Sequence, residues 1–240
     1  MKPASLLWLA LAGLLPASCR FVQGQRVRGN GHVVSISRQV GGFTGITDQG
    51  SLDVVVASGP YAISVEADEN LVPYILTEVR GNTLVVRFRE DVWVSGYQRA
   101  RVRVTAPDLR DLEVHGSGNF SSDGPVGSSG PLQAAVFGSG NLDLQVAGTP
   151  VDGVIHGSGN LLLSGRSSGL SATINGSGNV KALGLQAEQA DVTIRGSGNL
   201  EVTTPGRLQA RIFGSGDVWY RGHPALEIER HGSGSVSQAE

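Results

Sequence analysis

Residues 112–120 read Leu112-Glu113-Val114-His115-Gly116-Ser117-Gly118-Asn119-Phe120, and the Gly-Ser-Gly at their centre returns six more times. It begins at Gly116, Gly138, Gly157, Gly176, Gly196, Gly214 and Gly232, with successive spacings of 22, 19, 19, 20, 18 and 18 residues. Five copies continue with an asparagine, at Asn119, Asn141, Asn160, Asn179 and Asn199; the sixth continues with Asp217 and the seventh with Ser235. Two residues before each copy stand Val114, Val136, Ile155, Ile174, Ile194, Ile212 and Arg230. Two residues beyond each second glycine stand Phe120, Leu142, Leu161, Val180, Leu200, Val218 and Val236. Apolar residues alternating on both sides of a glycine corner predict two short strands per unit, each with one buried face.

A unit of about 19 residues with two strands cannot bury its own apolar face, so it must stack on its neighbours. The expected fold class is therefore all-β: a β-solenoid, parallel β-helix-like, with coils of about 19 residues and a less regular β-rich N-terminal part. A propeller blade needs about twice this period, and a leucine-rich repeat needs a leucine spacing and helical segment that are missing. Glycine at both ends of the corner suits a tight bend in crowded backbone. The residues that follow, Asn119, Asn141, Asn160, Asn179, Asn199 and Asp217, are expected to form a corner stack, each side-chain amide bonding to those above and below. Calcium-binding repeats instead have a nine-residue period with an aspartate in every turn, and here Asp217 is the one aspartate in the column.

Outside the repeats, residues 28–111 alternate as strands do, for example at Leu52, Val54 and Val56 and at Leu84, Val86 and Phe88. Residues 68–79 have the pattern of a short helix limited by Pro73, and Gly81-Asn82 reads as a turn. This region is expected to supply the first, wider coils of the same solenoid. Residues 1–19 carry Lys2, an apolar run from Leu6 to Leu15 and Pro16-Ala17-Ser18-Cys19, the pattern of a signal peptide. Small residues before Cys19 make it a candidate lipidation site; cleavage after Val22-Gln23-Gly24 is the alternative. Residues 20–32 read as a flexible tether and 33–240 as the domain. Export to the periplasm or cell surface follows, with outer-membrane lipid anchoring if Cys19 is acylated.

Composition narrows the function. The 240 residues hold 35 glycines and 17% charged residues at net charge -2, without the basic excess of a nucleic-acid binder. One cysteine forms no internal disulfide, no Cys/His cluster offers a metal site, and no cofactor is expected. The Gly-Ser-Gly-Asn corners, Gly42-Phe43-Thr44-Gly45-Ile46 with Leu52-Asp53-Val54, and Arg103-Val104-Thr105-Ala106-Pro107 leading to Leu112 through Gly118 resemble the bacterial putative auto-transporter adhesin, head GIN domain family over about residues 33–236. The resemblance implies an exported, envelope-associated β-solenoid and brings no catalytic residues with it.

The residue before each corner forms an outward column: His115, Phe137, His156, Asn175, Arg195, Phe213 and His231. His115 and His156 stand two coils, about 10 Å, apart, too far to share a metal. Aromatic, Arg and His side chains on a rigid face make this column the candidate ligand-binding strip, able to stack on sugars or pack on a protein. Gly165-Arg166-Ser167-Ser168-Gly169 fits the nucleophile-elbow spacing but lies in a back loop of a repeat rather than at a strand-to-helix turn. Asp143 and Glu201 share a column three coils, about 14 Å, apart, beyond the separation of a glycosidase pair. The reading is a non-enzymatic, adhesin-like binding module with a glycan or an envelope protein as partner, and membrane contact through a lipid anchor alone. A self-assembling structural envelope protein and a polysaccharide-degrading β-helix enzyme are the alternatives. Glu227, Glu229, Arg230 and the polar tail 237–240 are expected to cap the C-terminal end.

Overall fold

The structure, a computed structural model, describes residues 24–239; the signal segment, Cys19 and the tether residues before Gly24 lie outside them. Each Gly-Ser-Gly is a corner joining two parallel sheets. The front sheet takes Asp111–Gly116, Leu132–Gly138, Val151–Gly157, Leu170–Gly176, Gln189–Gly196, Arg207–Gly214 and Ala225–Gly232. The back sheet takes Asn119–Val126, Asn141–Gly148, Asn160–Ser167, Asn179–Ala187, Leu200–Thr203, Val218–Arg221 and Val236–Gln238. These pairs are coils 1 to 7, in chain order. Every strand pairs in parallel with its counterpart one coil away, so that Val114, Val136, Ile155, Ile174, Ile194, Ile212 and Arg230 fall in one inward line. The first six of these are fully buried, and one continuous apolar core runs from Phe43 to Val218.

The two corner glycines are required for different reasons. In coil 3, Gly157 has φ +130°, a region that side chains rarely adopt, and its carbonyl accepts the N–H groups of Ser177 and Gly178 from the coil above, at 2.9 and 3.1 Å. The second glycine, Gly159, has no such φ. A Cβ there would overlap the Gly140 carbonyl oxygen of the coil below, so it is close approach of backbone that excludes a side chain.

Below coil 1 lies a further coil that lacks the full motif. Its strands Gly45–Gly50 and Asp53–Ser58 pair in register with coil 1, setting Gly50 under Gly116 and Asp53 under Asn119. The Gly50 carbonyl accepts Ser117 and Gly118 N–H at 2.9 and 3.1 Å, the same corner bonding as higher in the stack. This founding coil carries Leu52 in place of the second glycine and Asp48 in the inward Val/Ile line.

From here down the expectation of wider coils in chain order gives way to a different topology. Thr83–Phe88 and Ala100–Ala106, later in sequence, lie in parallel beneath the founding coil. Ile75–Arg80 and Ala62–Asp68 then pair antiparallel to them, and Val33–Arg38 pairs antiparallel to Ala62–Asp68. The tight Gly81-Asn82 turn forces the reversal between Ile75–Arg80 and Thr83–Phe88, since a two-residue link can join antiparallel but not parallel strands. The helical pattern shortens to a 3-10 helix over Glu69–Tyr74, because residues from Ile75 onward are taken by the sheet. Leu71 of that helix is fully buried.

The stretch read as a tether is partly ordered as well: Gln25–Arg28 forms a strand parallel to Val92–Ser95. Asp68 fixes the residues after it. Burial pushes the Asp68 carboxyl up, but the N–H groups of Gly31, Arg99 and Gln98 outweigh that and hold it below the usual range.

Candidate functional site

The outer face of the front sheet carries three parallel columns, because side chains two residues apart on a strand share a face and lie about 6.7 Å apart. Nearest the corner stands the strip His115, Phe137, His156, Asn175, Arg195, Phe213 and His231, brought into one line by the sheet register. Beside it run Glu113, Ala135, Val154, Thr173, Thr193, Arg211 and Glu229. Beyond them run Asp111, Gln133, Asp152, Ser171, Asp191, Gln209 and Glu227. Small and β-branched residues in the middle column leave a shallow floor between a ring-bearing ridge and an acid-and-amide ridge. A groove of about 410 Å³, lined by Asp152, Ser171, Asp191 and Arg207 among others, opens at the far side of the acid ridge.

The strip rings stack on one another. His115 and Phe137 have centroids 4.5 Å apart at 21°, Phe137 and His156 5.4 Å at 5°, and Phe213 and His231 5.1 Å at 5°. The Arg195 guanidinium lies over the other face of the Phe213 ring, 5.5 Å from its centroid. Both faces of each phenylalanine are therefore engaged within the strip, and the ring edges are what face outward. Edges are the positive rim of an aromatic quadrupole, suited to carboxylates, carbonyls and other rings approaching edge-on.

Sequence reading named the strip but missed its acidic partners. Glu113 lies 2.8 Å from His115 Nε2, and Glu229 lies 2.8 Å from His231 Nε2. The signal was present, since each glutamate precedes its histidine by two residues and so shares its face. In the polar columns Arg211 pairs with Asp191 at 3.0 Å, and Arg207 pairs with Glu227 at 2.6 Å.

At the corner, the column residues form a one-way ladder. Asn119 Nδ2 donates to Asp53 Oδ1 at 3.2 Å, Asn141 to Asn119 at 3.0 Å, Asn160 to Asn141 at 2.8 Å, Asn179 to Asn160 at 3.1 Å and Asn199 to Asn179 at 3.3 Å. The foot sets this direction. The Asp53 carboxylate can only accept, so Asn119 must donate downward, and each amide above must do the same. Asp217 has no side-chain N–H; its backbone N–H donates to Asn199 Oδ1 at 2.9 Å, and its carboxylate accepts Ser235 N–H at 2.8 Å and Oγ–H at 2.6 Å.

The remaining candidates are not drawn together. Ser167 is 3% exposed, and its hydroxyl lies 2.8 Å from the Thr149 carbonyl and 2.6 Å from that of Gly169, so it is built into a back turn. Among the described residues no group of three or more His, Cys, Asp and Glu is placed to hold a metal ion. Cys19 lies outside the described residues.

Residues 42–224 match the family described as putative auto-transporter adhesin, head GIN domain. No curated protein matches the sequence. Among solved structures, the fold is similar to a putative adhesin from Bacteroides fragilis, with TM-score 0.80 at 18% identity over 89% of this chain and 100% of that one. A putative adhesin from Parabacteroides merdae gives 0.67 at 21% identity, over 90% of this chain and 100% of that one. A putative lipid binding protein from Parabacteroides distasonis gives 0.70 at 27% identity, again over 90% and 100%.

Proposed function

The chain belongs to the putative auto-transporter adhesin, head GIN domain family, and from that membership we propose that it is a non-enzymatic binding protein of the bacterial envelope whose recognition surface is the outer face of the front sheet. The observation that carries this reading is the strip of mutually stacked rings, held in line by parallel register on a rigid sheet. Such a strip loses little conformational entropy when a partner settles on it. The interior of the solenoid is filled by its own side chains, which leaves recognition to the outside. Export is consistent with the family and with the signal-like residues 1–19, and no helix among the described residues is long and apolar enough to cross a membrane.

Of the two ligand classes, the geometry favours a protein. A pyranose stacks on an open ring face, and the faces of Phe137 and Phe213 are covered by their neighbours. Ring edges, Arg195 and the Glu113–His115 pair suit instead a polypeptide surface rich in backbone carbonyls and side chains. The test is a binding screen of the purified chain against envelope proteins and a glycan array, repeated with Phe137→Ala and Arg195→Ala. A bound protein should be lost or weakened about 30-fold in either variant and unaffected by Lys181→Ala on the back sheet. Binding that ignores the strip, or turnover of a polysaccharide, would overturn the reading.

A further inference from the structure

Among the described residues nothing covers coil 7. In coil 6 the inward residues Leu208 and Ala210 are fully buried, whereas their coil 7 counterparts Leu226 and Ile228 are 46% and 43% exposed. Ala225–Gly232 and Val236–Gln238 are the terminal strands of their sheets, each with one unpaired edge. The expected cap does not form among the described residues. Glu227 is drawn sideways to Arg207 and Gln209, Glu229 to His231, and the tail runs back along coil 6, where Gln238 Nε2 bonds the Gly222 carbonyl and Ala239 N–H the Tyr220 carbonyl. Two free strand edges on either side of an open apolar core are a template for further pairing.

We propose that this end is closed by the same end of a second copy, giving a two-fold dimer joined C-terminal coil to C-terminal coil. The occupant must bring two strand edges about 10 Å apart with apolar side chains between them, because a single added strand would cover one edge and leave Leu226 and Ile228 wet. Another C-terminal end meets that requirement in full, and the opposite end of this chain meets it in its back-sheet half alone. There, the inward residues Ile75 and Thr77 of the terminal front-sheet strand are 1% and 9% exposed. Arg38 also reaches across to the Thr77 hydroxyl and the Val72 carbonyl, at 3.0 and 3.1 Å. Both terminal strands there, Ile75–Arg80 and Val33–Arg38, keep a free edge, and inward Ile36 is 44% exposed, but the covered front half gives Leu226 and Ile228 no open apolar face to close on, so the same end of a second copy is the partner that fits and the assembly closes at two.

Charge selects the pairing. Laying Ala225–Gly232 antiparallel against its own copy sets a glutamate opposite a glutamate, or Arg230 opposite Arg230, in every well-overlapped register that keeps the apolar face inward. Laying it against the partner's Val236–Gln238 meets no charge, and it can bring Ile228 onto Val236 and Glu227 beside Ser237. Ala225–Gly232 spans about 26 Å and the two sheets stand about 10 Å apart, so each end presents about 260 Å² and the closed pair removes about 500 Å² from water, the size of a weak, concentration-dependent contact.

Sedimentation of the full chain over a concentration series tests this, with circular dichroism confirming that each variant keeps its β signal. A reversible monomer–dimer equilibrium is expected. Ile228→Lys should raise its dissociation constant about 30-fold or more. Ser237→Glu, on an exposed position, should weaken the dimer by setting a charge beside Glu227, while Lys181→Ala on the distant back sheet of coil 4 should leave it unchanged. A parent chain that stays monomeric up to its solubility limit, species that grow beyond two, or dimers indifferent to both substitutions would overturn the proposal.

Discussion

The founding coil and coil 1 above it occupy equivalent places in the stack, with the same register and the same corner hydrogen bonds, yet their side chains differ at the positions that define the repeat. Coil 1 has Val114 inward, Gly118 at the corner and Asn119 in the ladder; the founding coil has Asp48, Leu52 and Asp53. Backbone stacking therefore tolerates departures from the motif at the foot of the solenoid, where no identical corner lies beneath. What the foot gains is an acceptor-only residue that orients the ladder. What it loses is an apolar residue in the core: Asp48 is 1% exposed and, among the described residues, neither of its carboxyl oxygens has a hydrogen-bond partner.

The largest test of that contrast is pH. Burial, reinforced by the nearby Asp53 charge, pushes the Asp48 carboxyl up from an ordinary 3.8 to about 7. The folded chain then holds a proton that the unfolded chain releases near pH 4, so this group's contribution to stability falls as pH rises from about 4 to about 7 and is flat above. A shift of about three units corresponds to about 4 kcal/mol across that window. Asp48→Val, which restores the inward line, should remove this dependence and raise stability at pH 8 by a similar amount while changing little at pH 4. Chemical denaturation of both chains at the two pH values measures it. A pH dependence shared equally by the variant would show that Asp48 is already accommodated as a charge.

A second contrast separates corners from back loops within the regular stack. Gly159→Ala must push Gly140 of the coil below away and should cost about 3 kcal/mol. Gly130→Ala, in a loop where a Cβ meets nothing, should change stability by less than about 0.5 kcal/mol. Thermal unfolding of the two variants gives the difference directly, and similar losses would mean that the corner relaxes freely.

These contrasts also show what the sequence makes legible. Seven corners could be read because each repeats both glycines, and parallel stacking turned spacing into register without further information. The founding coil was harder to see: Gly50-Ser51 retains half the corner, but Leu52 and Asp53 break the motif and Asp48 breaks the apolar line. The passage of residues 83–106 beneath residues 45–58 was not legible at all, because the order of parallel strands in a sheet leaves no mark in local alternation. On the candidate face, the column came from position alone. That its rings lie flat on one another depends on side-chain torsions that spacing does not encode, and the open C-terminal end followed from the tail choosing coil 6 over the core, a contest between two short polar contacts and a cap.

The smallest effect concerns the ladder and separates its middle from its upper end. Asn160→Leu removes a donor from Asn141 and an acceptor from Asn179, leaving two half-buried amides short of one bond each, a loss of about 2 kcal/mol. Asn119→Leu should cost about as much although it stands in the first motif coil, because Asp53 beneath it makes its amide as fully engaged as Asn160. Ser235→Ala removes one hydroxyl bond to Asp217 and leaves the backbone N–H bond in place, so about 0.5 kcal/mol is expected. Denaturant midpoints for the three variants rank them. If Asn119→Leu fell with Ser235→Ala rather than with Asn160→Leu, Asp53 would not be part of the ladder, and the founding coil would be a support for the stack rather than its first member.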